Sequence, residues 1–121
     1  MTVLGVLLAG GFGATLRWLL DLLCAARLGR VVPWGTMAAN VAGSCVAGCL
    51  AGASLGARLG PHGVTILALG LCGGFTTFSA ASFDTMRQLE RRRPALGAAL
   101  FFVPMLLALG GAVGGFYAAG A

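Results

Sequence analysis

Lysine is missing from this 121-residue chain and acidic side chains nearly so: all eight basic residues are arginine, and they face only two aspartates and one glutamate. The net charge of +5 therefore reflects scarce acids, with no long basic tract of the kind that grips nucleic acid. Charged residues make up 9% of the chain, against about 25% in soluble domains, too few to cover a water-facing surface. The single histidine, His62, has no partner at metal-ligand spacing. Disulfide and zinc-type spacings are lacking too: Cys24, Cys45, Cys49 and Cys72 lie in or beside apolar stretches and read as small buried hydrophobes. A soluble globule, a disordered tail and a nucleic-acid binder are excluded. A small integral membrane protein remains.

A helix needs roughly 20 mainly apolar residues to cross the hydrocarbon. Four stretches qualify, with approximate spans 2–24, 34–57, 63–83 and 95–119, separated by short segments that hold most of the charge. The expected architecture is all-α: one four-helix transmembrane domain over residues 1–121, with consecutive helices antiparallel. The first stretch lacks the basic flank of a signal peptide, so it reads as a retained span. Trp18, Trp34 and Tyr117 fall near span ends, where amphipathic rings favour the headgroup zone. No room is left for a soluble catalytic domain, and no residue is assigned a catalytic role.

Glycine is abundant, with 21 residues against a usual share of about 7%. Small residues recur four apart at Gly10 and Ala14; at Asn40, Ser44, Gly48 and Gly52; at Gly70 and Gly74; and at Gly110 and Gly114. Such faces let helices approach closely in lipid, where association gains little from the hydrophobic effect. Four helices packed this way enclose little interior, which favours a pathway formed where copies meet.

The third span carries Gly73-Gly74-Phe75-Thr76-Thr77-Phe78-Ser79 near mid-membrane. Paired glycines before two β-branched residues are poor for helix continuation. Either the helix breaks there, exposing backbone groups to a polar cavity or an ion, or it kinks with hydroxyls bonded back to their own helix. Asn40, about one and a half turns into the second span, must face a partner helix or a polar cavity. Arg17 either snorkels to the interface or forms the mouth of an anion pathway, and Asp21, four residues on, could neutralise it.

Gly10-Gly11-Phe12-Gly13-Ala14 with Arg17, Gly35-Thr36 with Asn40 and Gly43-Ser44, and the Gly73 to Ser79 block together resemble the CrcB/Fluc fluoride channels. The resemblance covers three of the four spans in order and spacing. It implies a passive, fluoride-selective channel of the prokaryotic plasma membrane that exports cytoplasmic fluoride and gives fluoride resistance. It implies an antiparallel, dual-topology dimer in the lipid bilayer, with two pores at its interface. It also implies a structural sodium ion held by backbone carbonyls, which by position are those of Gly73 and Thr76. Arg17, Asn40, Phe78, Ser79 and Asp84 match pathway positions: the amide and hydroxyl donate, and a phenylalanine ring is electropositive at its edge.

Two features depart from the family pattern. Ala81 stands where a second pore phenylalanine belongs, and Ala80 where a hydroxyl belongs. Charge is also lopsided: Arg27, Arg30, Arg87, Arg91, Arg92 and Arg93 fall in or near the first and third loops, against Arg58 in the second. The positive-inside rule then orients the chain one way, with termini outside. A homodimer or a heterodimer with an oppositely oriented homologue both remain open, the bias favouring the latter. Two other readings are a proton-coupled exporter of small cations and a non-conducting partner subunit. The first needs a carboxylate buried within a span, whereas Asp21, Asp84 and Glu90 lie toward span ends or in a loop.

Overall fold

A computed structural model describes residues 1–56 and 60–120. The expected end of the second span at Ala57, and Arg58 with it, lie outside the described residues. Four helical spans long and apolar enough to cross a membrane are present. They comprise α1 (Thr2–Leu28), α2 (Trp34–Leu55), an interrupted third span, and α6 (Pro94–Gly120). The third span contains α3 (Pro61–Thr65), a wide π-type segment (Ile66–Cys72), α4 (Gly73–Phe75) and α5 (Phe78–Glu90). Hydrocarbon leaves backbone groups no partner but their own segment, so apolar runs of this length adopt helix. Helices α1 and α5 continue through polar residues beyond the expected ends at 24 and 83, because charge marks the edge of hydrocarbon and not the end of a helix.

Three of the four prolines mark helix starts: Pro33 caps α2, Pro61 opens α3 and Pro94 opens α6. Pro104 lies buried within α6. The turn from α5 to α6 closes as Arg92 N–H donates to Leu89 O and Arg93 N–H to Gln88 O, each at 2.9 Å. Arg92 sits there in the left-handed region at φ 57°.

Packing depends on backbone approach. A Cβ at Gly48 or Gly52 of α2 would run into the carbonyls of Ala112 or Phe116 of α6, and one at Gly115 into that of Cys45. Helix α1 meets the third span in the same manner, with Gly13 against the Leu71 carbonyl and Gly74 against that of Gly10. The expected stripe on α6 is displaced: Gly110 and Gly114 face open space, while the adjacent Gly111, Ala112 and Gly115 meet α2. Four-residue spacing defines a stripe but not which of two neighbouring stripes is turned inward.

Little interior results. Ala39, Cys72, Leu100 and Pro104 are buried, while large apolar side chains from every span are exposed, as lipid-facing side chains should be. The Thr2 hydroxyl lies 2.9 Å from His62 Nδ1, joining the start of α1 to α3 at one end of the bundle. At the other end, Gln88 Nε2 donates to Val31 O at 3.4 Å, joining α5 to the loop between α1 and α2. The first and third loops therefore share one end.

Gly48→Ala forces a methyl into the Ala112 backbone and is expected to destabilise the fold by about 1–3 kcal/mol. Gly110→Ala, facing open space, should change stability by no more than about 0.5 kcal/mol. Thermal unfolding of both variants in detergent checks the contrast.

Candidate functional site

Helix geometry fails at Thr76 and Thr77, whose backbones are extended at φ −86°, ψ 155° and φ −153°, ψ 121°. The chain approaches this break through the wide turns of Ile66–Cys72, an irregularity that single-turn π-bulges commonly introduce at functional positions. Every backbone group released here needs a partner, since water is scarce at this depth.

Asn40 of α2 supplies two. Its Nδ2 donates to Thr77 O at 2.9 Å, and its Oδ1 accepts from Thr77 N–H at 2.7 Å. The side-chain amide thus pairs with the Thr77 residue as a neighbouring peptide would, answering the requirement that a membrane-buried Asn face a partner. The second Nδ2 hydrogen is not used in this pair. Thr77 also caps α5, its hydroxyl accepting from Ala80 N–H at 3.3 Å. Thr76 bonds back to its own helix, its hydroxyl and its N–H each donating to Cys72 O at 2.9 Å. Break and back-bonded hydroxyl, alternatives in the sequence, therefore coexist.

This redirection has a consequence for two carbonyls. In an uninterrupted helix Thr77 N–H would bond Gly73 O and Ala80 N–H would bond Thr76 O; both donors are instead engaged by Asn40 and Thr77 Oγ1. Gly73 and Thr76 also line one cavity of about 430 Å³ with Asn40, Ser44, Thr77 and Phe78. No carboxylate contributes to its wall, and no cluster of three or more His, Cys, Asp or Glu exists among the described residues. Neutral carbonyl oxygens freed in this way suit a hard cation of low charge and do not suit a transition metal. On that chemistry the donor set fits sodium.

The other wall of the cavity belongs to α6, through Phe101, Pro104 and Met105. Phe78 is 72% exposed. Its ring meets Phe101 edge-on, with centroids 6.0 Å apart and planes at 73°. Ala81 lines the cavity beside it. Ser79 is exposed, and its Oγ lies 3.2 Å from Thr77 Oγ1.

The expected pathway residues do not all meet. Asn40, Phe78, Gly73 and Thr76 share the cavity. Asp84 lines a second cleft of about 140 Å³ with Asp21, Arg30, Arg87 and Trp34, at the end bearing the first and third loops. Asp21 lies against Gly35 of α2. Arg17 lines neither space; it is half-buried, and its buried Nε has no hydrogen-bond partner. Sequence reasoning overlooked Thr77 as a cap, although a threonine directly before a helix is a recognisable signal. An aromatic contribution from Phe101 or Phe102 of the fourth span was open to the sequence, and Phe101 supplies it; Gln88 was overlooked, and no local signal marks it.

Comparison with known proteins places these features in context. Residues 4–116 match the family described as CrcB-like protein, Camphor Resistance (CrcB). The chain is 36% identical over 114 residues to the Fluoride-specific ion channel FluC of Nitrobacter winogradskyi, covering 93% of this chain and 90% of that one. It is 39% identical over 120 residues to the Fluoride-specific ion channel FluC 1 of Leifsonia xyli subsp. xyli, covering 99% and 88%. The Fluoride-specific ion channel FluC of Rhodospirillum centenum is 40% identical over 114 residues, covering 93% and 90%.

Asn40→Ala leaves Thr77 N–H and C=O without these partners and is expected to cost about 1–3 kcal/mol. Thr77→Ala removes only the cap of α5 and should cost about 0.5–2 kcal/mol. Thermal unfolding of each variant in one detergent measures both, and an Asn40→Ala protein as stable as the parent would contradict the pairing.

Proposed function

Since the chain belongs to the CrcB-like protein family, we propose that this multi-pass membrane protein is a passive, fluoride-selective channel through which cytoplasmic fluoride leaves the cell. The observation that carries this reading is the cavity at the helix break, where Asn40, Ser44 and Thr77 share a lining with the rings of Phe78 and Phe101 in a chain otherwise built for lipid. It is supported by relatives whose names describe fluoride-specific ion channels.

Fluoride is small and holds its hydration shell tightly. A dehydrating pathway must replace that water with donors, bound weakly enough for the ion to leave. Asn40 has one amide hydrogen beyond its pair with Thr77. With the Thr77 hydroxyl donating to Ser79, the Ser79 proton is likewise available to an anion. The ring edge of Phe78 adds positive electrostatic potential without a fixed charge that would trap the ion. Arg17 draws anions toward the membrane from α1, and Asp84 lies at the arginine-rich end. An inside-negative potential drives fluoride outward by about 2.3 kcal/mol per 100 mV, so no energy-coupling site is required.

Sodium, where bound, is structural: its charge neutralises carbonyl oxygens that the break leaves unpaired. Gly73 and Thr76 offer those oxygens from this subunit, and a second copy or homologue meeting the same face would complete the shell. The cavity on a thin bundle supports such a dimer, because Asn40, Ser44 and the freed carbonyls in its wall are costly to leave against lipid. One-sided arginines support a partner of opposite orientation, and Ala81 in place of a second aromatic supports two pores of unequal quality.

Proteoliposomes loaded with potassium fluoride, with valinomycin to balance charge, test this reading. The chain alone, or mixed with an oppositely oriented homologue, should release fluoride and retain chloride; no release from either folded preparation overturns it. Asn40→Asp places a fixed negative charge in the pathway and should slow efflux at least about tenfold, equivalent to about 1.4 kcal/mol.

A further inference from the structure

The end of the bundle carrying the first and third loops is strongly basic. Arg27 lies in the last turn of α1, Arg30 in the following loop, Arg87 in the last turn of α5, and Arg91, Arg92 and Arg93 form the turn into α6. All six are exposed. The carboxylates nearby are Asp21, Asp84 and Glu90, half as many, and two of these face the cleft that Arg30 and Arg87 also line. Uncompensated positive charge therefore concentrates on Arg27 and on the Arg91–Arg93 turn.

Pairing within the bundle does not account for this cluster. The turn is held by its own backbone: Arg91 N–H donates to Arg87 O at 3.2 Å, and the next two amides bond Leu89 O and Gln88 O. Gln88, 3% exposed, ties the turn to the first loop through Val31 O, so the two groups of arginines keep a fixed relation. Cations at a helix C-terminus do favour its dipole, but that effect fades within a turn and needs one or two charges, not six.

We propose that this end is a docking surface for the headgroups of anionic phospholipids. Depth points to lipid as the occupant. Trp34 lines the same cleft as Arg30 and Arg87 and is 43% exposed, placing these guanidiniums at the level where amphipathic rings meet headgroups. Phosphodiesters in the adjoining leaflet are thus the anions within reach. Exclusive use of arginine fits them, since the planar guanidinium grips two phosphate oxygens at once whereas an ammonium acts as a point charge. This inference goes beyond the channel reading and does not depend on it.

Native mass spectrometry of the full chain, released from nanodiscs of equal phosphatidylcholine and phosphatidylglycerol, measures the preference directly. The parent chain should retain phosphatidylglycerol at least about tenfold over phosphatidylcholine, since each arginine near an anionic surface contributes on the order of a fivefold gain. R91Q/R92Q/R93Q should lose most of that preference. Should this variant fail to fold, R91K/R92K/R93K keeps the charge and the insertion bias while removing the forked contact, and a drop of about threefold is expected. Equal retention of the two lipids by the parent, or unchanged preference in the folded variants, overturns the proposal. So does displacement of phosphatidylglycerol by millimolar inorganic phosphate, which would make the occupant a free anion.

Discussion

The paired hydrogen bonds between Asn40 and Thr77 are the constraint on which the rest of the molecule depends. An extended pair of residues in the middle of a span would leave peptide groups bare in hydrocarbon, at a cost of several kcal/mol each. The Asn40 amide has the donor and acceptor of a peptide and repairs one of these units from another helix. Thr77 repairs the next by capping α5 with its own hydroxyl. What stays unrepaired, the carbonyls of Gly73 and Thr76, is confined to the cavity wall. The break is thereby made tolerable and chemically specific: it offers oxygen lone pairs in one place.

Helix α2 can supply Asn40 only because it is itself held. Its glycines let the backbone of α6 come into van der Waals range, and the opposite wall of the cavity, with Phe101 and Pro104, is carried along with that helix. The glycine contacts of α1 with the third span fix the other side. A fold with almost no buried side chains is thus kept in register by backbone contact and by a few side-chain hydrogen bonds. The cavity that results sets a few polar groups, Asn40, Ser44 and the threonines, among mostly apolar walls on a thin bundle.

Much of this was legible in the residues. The four spans follow from the scarcity of charge and the close approach of helices from glycine spacing, while Gly73-Gly74 before Thr76-Thr77 marks the place where the third span either breaks or kinks. The wide turns of Ile66–Cys72 carry no comparable signal, since their sequence is that of any apolar helix. Nor did spacing indicate that Gly111 and Gly115, in place of Gly110 and Gly114, would meet α2. A rotation of one residue around α6 preserves every local preference and changes only which stripe faces inward.

The sequence by itself determined that the chain lives in lipid, how often it crosses, where one span is irregular and which end carries the arginines. Each is a local property, set by the cost of placing a polar group or a strained backbone in hydrocarbon. Only the tertiary structure decided that Asn40 pairs with Thr77, 37 positions away, that Phe101 stands edge-on to Phe78, and that Asp84 joins Asp21 in a separate cleft. Those outcomes depend on the rotation and depth of whole helices against one another. In a membrane these are set by close contact between backbones, which no single segment contains.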